Sequence, residues 1–307
     1  MKNLETKLGR AVFRNPLFGC SGCVGHAYEL APYTDLSQYG GLSLKTVTYL
    51  PRVGNPADRI CEVTAGCISS VGLPNKGPDD YFANVVPKAL NVLDPDQAIV
   101  SVAGDCVEEY VELCERVQDL FGNRIAAIEL NAACPNASHG IGYFSRDAKA
   151  ASELIHAAKS SVDLPILYKF NTNFENYLEV GKAVSDAGVD AIFTTSTPMG
   201  IKIDIKTKKP VLGNTIGPVC GPAVLPFGML RIWNLYKEVE VPLIASGGAA
   251  SWRDVIEDML AGASAVGIGS AHFATPDIVP GILADLKEYM EREKLDSLTG
   301  LIGAAHR

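Results

Sequence analysis

Eight short runs rich in apolar and β-branched residues recur along the whole chain. They are "LFGCSG" (17–22), "GLSLKTVT" (41–48), "AIVSVAG" (98–104), "AAIELNA" (126–132), "PILYKFN" (165–171), "AIFTTST" (191–197), "PLIASGG" (242–248) and "AVGIGSA" (265–271). Between most of them lie segments with helical spacing, such as "VEEYVELCERVQDLFG", "DAKAASELIHAAKSSV", "NYLEVGKAVSDAGV" and "SWRDVIEDMLAGA". Continuous apolar strands separated by amphipathic helices imply a parallel sheet covered by helices. Eight such units predict an α/β fold closed into a (β/α)8 TIM barrel rather than an open doubly wound sheet. The length of 307 residues suits one barrel of about 250 residues with insertions. No linker, low-complexity segment or charge block interrupts the series, so a single domain spanning 1–307 is expected. Residues 49–80 and 198–221 are longer than turns. They predict inserted loops at the C-terminal face of the strands, where such insertions shape active sites.

In a barrel of this kind the chemistry gathers at the C-terminal ends of the strands. Polar and special residues fall at those ends: Ser21 and Gly22, Lys45 and Thr46, Asn131, Lys169, Thr195 to Thr197, Gly247 and Gly248, Gly269 and Ser270. A lysine inside an apolar strand is costly to bury unpaired. Lys45 and Lys169 therefore predict an anionic partner in the barrel mouth. The last two strands end in "ASGGAASWRDV" and "GIGSAHF". Paired glycines let backbone N–H groups approach an anion, and a helix starting near Ser251 adds its positive end. Loops after strands seven and eight are the usual phosphate site of such barrels.

Charge and cysteine usage narrow the partners. The 27 Lys and Arg against 35 Asp and Glu leave a net charge of −8, and there is no basic run. That excludes nucleic acid as a natural partner, because phosphate neutralisation is the main source of that affinity. No stretch approaches the roughly 20 apolar residues of a membrane span, and the N-terminus lacks an apolar core of signal-peptide length. A cytoplasmic protein is expected. The eight cysteines do not form a disulfide framework in a chain this long, and Cys20 and Cys23 in "CSGC" read as ordinary reduced thiols. No metal site is predicted.

The ordered set "NPLFGCSGCVG", "LKTVTYLPRVGNPADR", "SSVGLPNKG", "ELNAACPN", "YKFN", "MGIKIDIKTKKP", "CGPAVLP", "SGGAAS" and "AGASAVGIGSAHF" resembles the class 1 dihydroorotate dehydrogenases over nearly the whole length. "LPRVGNPADR" and "MGIKIDIKTKKPVLGN" look most like the catalytic subunit of the heteromeric subclass. The resemblance implies an FMN in the barrel mouth. Its phosphate would lie on Gly247, Gly248, Gly269 and Ser270, with help from Gly221. Its ring would meet Ser21, Thr46, Asn131, Lys169 and Thr195, with Ser101 nearby, and Lys45 would reach both flavin and substrate. A lysine near the ring has a physical reason, since reduction builds negative charge there.

Oxidation of a dihydropyrimidine also needs a base for the proton on the carbon next to a carbonyl. By the resemblance, that base is Cys134 in "CPNASHG", a thiol usable near neutral pH, with His139 part of its lid. For the substrate the resemblance implies Asn131 and Asn136, the segment Ser69, Ser70, Val71, Gly72 and Leu73 as a receiver for its carboxylate, and Ser196 and Thr197. Ser69, Ser101 and Ser196 stand where the family has asparagine, and Ala133 replaces a serine. A hydroxyl cannot offer a donor and an acceptor side by side as an amide does.

Dihydroorotate is accordingly the first substrate expected. A related dihydropyrimidine or cyclic unsaturated acid, on a paralogue with the same flavin and cysteine, is the second. A phosphate-binding lyase or isomerase without flavin is the third. The resemblance also implies a homodimer and an electron-transfer partner subunit carrying FAD and an iron–sulfur cluster.

Overall fold

A computed structural model describes residues 3–133 and 142–307. Eight parallel strands form a closed ring: β1 (Leu17–Gly19), β2 (Gly41–Ser43), β3 (Ala98–Ala103), β4 (Ala127–Asn131), β5 (Ile166–Asn171), β6 (Ala191–Thr195), β7 (Leu243–Ser246) and β8 (Ala265–Ile268). Pairing runs in chain order from β1 to β8; the β8–β1 pair, with Gly267 opposite Phe18, closes the cylinder. The expected (β/α)8 TIM barrel is thus the observed architecture, and each β-rich run contains one of the eight strands, the run 41–48 adding a short second one at Val47–Thr48.

Strand β5 shows how the pattern arises. All six residues of "ILYKFN" are buried, because one side faces the barrel interior and the other faces helices. Tyr168 and Phe170 join the outer core, while Leu167 packs inside. Alternation then sends Lys169 and Asn171 inward with Leu167. The helices follow their own period. Helix α1 (Val107–Phe121) buries Tyr110, Leu113, Cys114, Val117 and Phe121, one stripe three to four residues apart, and opens with Glu108 and Glu109 in its first turn.

The floor of the barrel is closed by an antiparallel hairpin, Thr6–Leu8 with Ala11–Phe13. Leu8 and Phe13 are fully buried against Phe18, Ile99, Leu167 and Phe193, and the rings of Phe13 and Phe18 meet edge to face at 4.8 Å. Truncating Phe13 to alanine would leave a cavity costing about 3–5 kcal/mol. Gly9 turns the hairpin with φ +58°, and a Cβ there would lie 2.6 Å from the Asp190 carbonyl oxygen.

At the opposite end the two long insertions meet. Ile60–Val63 and Gly66–Ser69 from the first pair with Gly217–Cys220 and Met199–Gly200 from the second, in one four-stranded antiparallel sheet. No helix among the described residues is long and apolar enough to cross a membrane.

Candidate active site

The register between β4 and β5 places Lys169 beside Asn131, one inward residue from each strand. Both are buried, as is Thr46 just after β2. They line a cavity of about 240 Å³ at the C-terminal ends of the strands. Ser21, Lys45 and Thr195 line the same cavity, with Gly247, Gly248 and Gly221. Gly269 and Ser270 complete its wall. Of the twelve residues expected around a cofactor, eleven therefore converge on one space. Ser101 does not. It is fully buried beneath Thr46, its hydroxyl 2.8 Å from the Thr46 hydroxyl.

The glycine turns have the shape an anion requires. Gly247 and Gly248 adopt φ +130° and +94°, and Gly221 φ +129°. A Cβ on Gly248 would sit 2.6 Å from the Leu225 backbone nitrogen. One on Gly221 would overlap the Ala65 carbonyl oxygen. Gly221, Gly248, Gly269 and Ser270 also line a second cavity of about 580 Å³, so this rim separates two adjoining spaces. Helix α2 (Trp252–Ala261) begins where expected, with Ser251 as its cap. Its start is answered internally. The Asp254 carboxylate accepts from the N–H groups of Ala250 and Ser251 at 2.9 and 2.8 Å, and Ser251 Oγ accepts from Asp254 N. The glycine turns rather than this helix end face the cavity.

The residues expected around the substrate divide. Leu73 and Thr197 line the cavity; Ser69, Ser70, Val71, Gly72 and Ser196 do not. Ser196 is fully buried with its hydroxyl 2.7 Å from that of Thr172, as strand alternation between Thr195 and Thr197 dictates. Ser70 donates its N–H to Arg59 and accepts at its hydroxyl from Asn55 and Asn214. Its backbone donor is therefore not available to a carboxylate. Gly72 and Leu73 both have positive φ, +78° and +53°, which turns the chain sharply at the cavity edge. Cys134, Asn136 and His139 lie outside the described residues.

A family model described as dihydroorotate dehydrogenase matches residues 3–290. The chain belongs to the dihydroorotate dehydrogenase family. Its relatives include proteins named dihydroorotate dehydrogenase B (NAD(+)), catalytic subunit. That of Desulforamulus reducens is 37% identical over 306 residues, covering 99% of each chain. That of Desulforudis audaxviator is 37% identical over 294 residues, 96% of this chain and 94% of its own. That of Parabacteroides distasonis is 35% identical over 304 residues, 99% and 98% of the two chains. The resemblance drawn from the motifs is thereby borne out.

The dihydroorotate dehydrogenase family is one of flavin-dependent oxidoreductases acting on CH–CH bonds, and the donor set here fits such a cofactor. A glycine rim, in which a Cβ on Gly221 or Gly248 would meet backbone atoms at 2.4 and 2.6 Å, lines the cavity together with a buried lysine and Asn131. Among the described residues no group of His, Cys, Asp or Glu could hold a metal.

Two features of this dihydroorotate dehydrogenase family site escape a reading of the motifs. Glu129, two residues before Asn131 and fully buried, lies below the cavity and accepts from Ser21, Ser43 and Ser101 at 3.1, 2.9 and 2.7 Å. Lys169 Nζ is 3.5 Å from it and donates to Ser21 Oγ at 2.7 Å. Behind the glycine rim, His272 contacts the Gly269 carbonyl through Nδ1 at 2.9 Å and Tyr39 through Nε2 at 2.9 Å. Burial holds its ring below the ordinary imidazole value, so it is neutral, with Nδ1–H donating to Gly269 and Nε2 accepting from the phenol.

The thiols of Cys20 and Cys23 also line the cavity, and burial pushes them up to about 12 and about 11. They are protonated thiols in the wall.

Proposed function

We propose that this chain is the FMN-bearing catalytic subunit of a heteromeric dihydroorotate dehydrogenase, oxidising dihydroorotate to orotate in pyrimidine biosynthesis. One observation carries the reading: a buried lysine, Asn131, Thr46 and Ser21 share a single cavity with the positive-φ glycine turns at the barrel mouth. When bound, FMN supplies the two-electron acceptor for the hydride.

The chain's own residues do the rest. The turns at Gly247–Gly248 and Gly269–Ser270, with Gly221, receive the phosphate through backbone N–H groups. Lys169 supplies positive charge that favours the more negative, reduced cofactor. The carboxamide of Asn131 has four hydrogen-bonding sites. Among the described residues two are engaged, Nδ2 with Thr46 and Oδ1 with the Ala133 N–H, which leaves two for a ring edge. Lys45 offers the cavity a cation for the substrate carboxylate, Thr197 lines the same cavity, and the resemblance assigns Asn136, outside the described residues, to the substrate. Cys134 Sγ takes the proton from the carbon next to the carbonyl. The names of the relatives, each the catalytic subunit of a dihydroorotate dehydrogenase B (NAD(+)), support an electron-transfer partner subunit; its FAD and iron–sulfur cluster, and a homodimeric catalytic core, rest on the motif resemblance.

Anaerobic mixing of the purified, flavin-loaded protein with dihydroorotate tests the reading. Bleaching of the flavin absorption is expected. A yellow protein that ignores dihydroorotate but bleaches with another dihydropyrimidine rejects the substrate. A folded protein that takes up no flavin rejects the cofactor.

A further inference from the structure

Among the described residues, the inner face of the barrel under the cavity carries one carboxylate, Glu129, which has no exposure to solvent. An ionised carboxylate only accepts hydrogen bonds. Each neighbour here brings it a hydrogen: Ser21 and Ser101 to Oε1, Ser43 to Oε2, and the Lys169 ammonium to Oε1. The four donors come from four separate stretches of the barrel, at or just beyond β1, β2, β3 and β5, and β4 supplies the acceptor.

That acceptor has a directional consequence. Ser101 has one hydroxyl hydrogen, and Glu129 takes it at 2.7 Å. The 2.8 Å contact between Ser101 and Thr46 must then run from the Thr46 O–H to Ser101 Oγ. Thr46 Oγ1 in turn accepts from Asn131 Nδ2 at 2.8 Å. The far end is pinned independently, because Asn131 Oδ1 accepts from the Ala133 backbone N–H at 3.1 Å. The chain Asn131 to Thr46 to Ser101 to Glu129 is therefore polarised one way throughout. A backbone amide fixes one end and a buried anion fixes the other. Ser21 is similarly committed, accepting from Lys169 at 2.7 Å and donating to Glu129.

We propose that Glu129 is the positioning residue of the cofactor site. It is a buried counter-ion that limits the net charge Lys169 presents to the cavity, and the terminus of a hydroxyl relay that fixes which way the Asn131 amide faces. Ser101 then serves as a relay rather than a ligand. This deepens the flavin reading above and rests on it.

Two variants separate the two roles. In Glu129→Gln the new Nε2 can face Ser43, which turns to accept it, so the relay survives while the charge is lost. With Lys169 no longer offset, reduced FMN gains affinity over oxidised FMN. A ratio higher by about tenfold is expected, read as a midpoint potential more positive by about 30 mV for a two-electron couple. A ratio within about threefold of the parent, or a shift to lower potential, overturns the counter-ion role. Ser101→Ala keeps the carboxylate and breaks the relay. Oxidised and reduced FMN should both bind about fivefold more weakly, with the potential unchanged, the effect of one hydrogen bond. Unaltered FMN affinity overturns the relay, and this measurement stands even if Glu129→Gln does not fold. A parent protein that takes up no flavin defeats the flavin reading itself, before either variant is compared.

Discussion

The phenol of Tyr39 donates to Nε2 of His272 across 2.9 Å, joining residues from opposite ends of the chain directly behind the Gly269 turn. Burial lowers the His272 pKa below its ordinary 6.5. A depressed histidine binds its proton more weakly in the folded state than in the unfolded one. Its contribution to stability is therefore complete above about pH 6.5 and is lost as pH falls toward the folded value. The thermal midpoint should decline below pH 6.5, and His272→Gln should flatten that decline. An identical slope in both proteins would show that the ring does not titrate in this range.

Cys134→Ala should retain FMN and lose its reductive half-reaction. A placed general base contributes about 10²–10⁴-fold. Stopped-flow bleaching by dihydroorotate should slow by at least about a hundredfold, while the flavin content of the purified variant stays at the parent level. Undiminished bleaching would assign the proton to another group.

Gly248→Ala brings a methyl to 2.6 Å from the Leu225 backbone nitrogen, at a φ that alanine rarely adopts. The turn must shift, and the phosphate contacts with it. Titration of apoprotein should show FMN affinity reduced about tenfold or more, roughly 1.4 kcal/mol. Riboflavin, which lacks the phosphate, should bind the variant and the parent alike. Equal losses for both ligands would place the phosphate elsewhere.

Arg10→Ala tests the floor rather than the mouth. Asp190 is almost fully buried, and Arg10 holds it through Nε and Nη2 at 2.9 and 3.0 Å. Burial would raise the Asp190 carboxyl, yet the Arg10 guanidinium and the Ile166 and Arg10 amides keep it below the usual range. Removing one partner of a buried ion pair costs about 3–5 kcal/mol. Arg10 is half exposed, so about 3 kcal/mol is expected by chemical denaturation, with flavin affinity unchanged.

Cys67 and Cys220 face each other across the insertion sheet. A hydrogen bond from the Cys220 thiol draws Cys67 below its ordinary value. Alkylation followed by peptide mapping should give Cys67 a lower pH midpoint than the more exposed Cys106, whose thiol burial and Glu108 raise. The reverse order would mean that the two sulfurs do not interact.

The strands and the barrel were legible because a parallel sheet covered on both faces reads as continuous apolar runs, and because the lysine inside "PILYKFN" stands out. The carboxylate that offsets it was equally visible between Ile128 and Leu130. The rule that makes a buried lysine noteworthy also demands a buried partner. What could not be read is which hydroxyls surround Glu129, since Ser21, Ser43 and Ser101 meet only when the cylinder closes. Ser196 shows a different gap. Counting by twos from Thr195 turns it away from the cavity, whereas motif matching alone set it beside the ring. Tyr39 and His272 carry no local signal, being 233 residues apart.

The shared sheet of the two insertions has a bearing on assembly. Gly66 packs against the Cys220 carbonyl at the rim, and the same strand runs on through Ser69 to the bend at Leu73. A group seated against Gly221 is therefore expected to brace the bend at Leu73 as well.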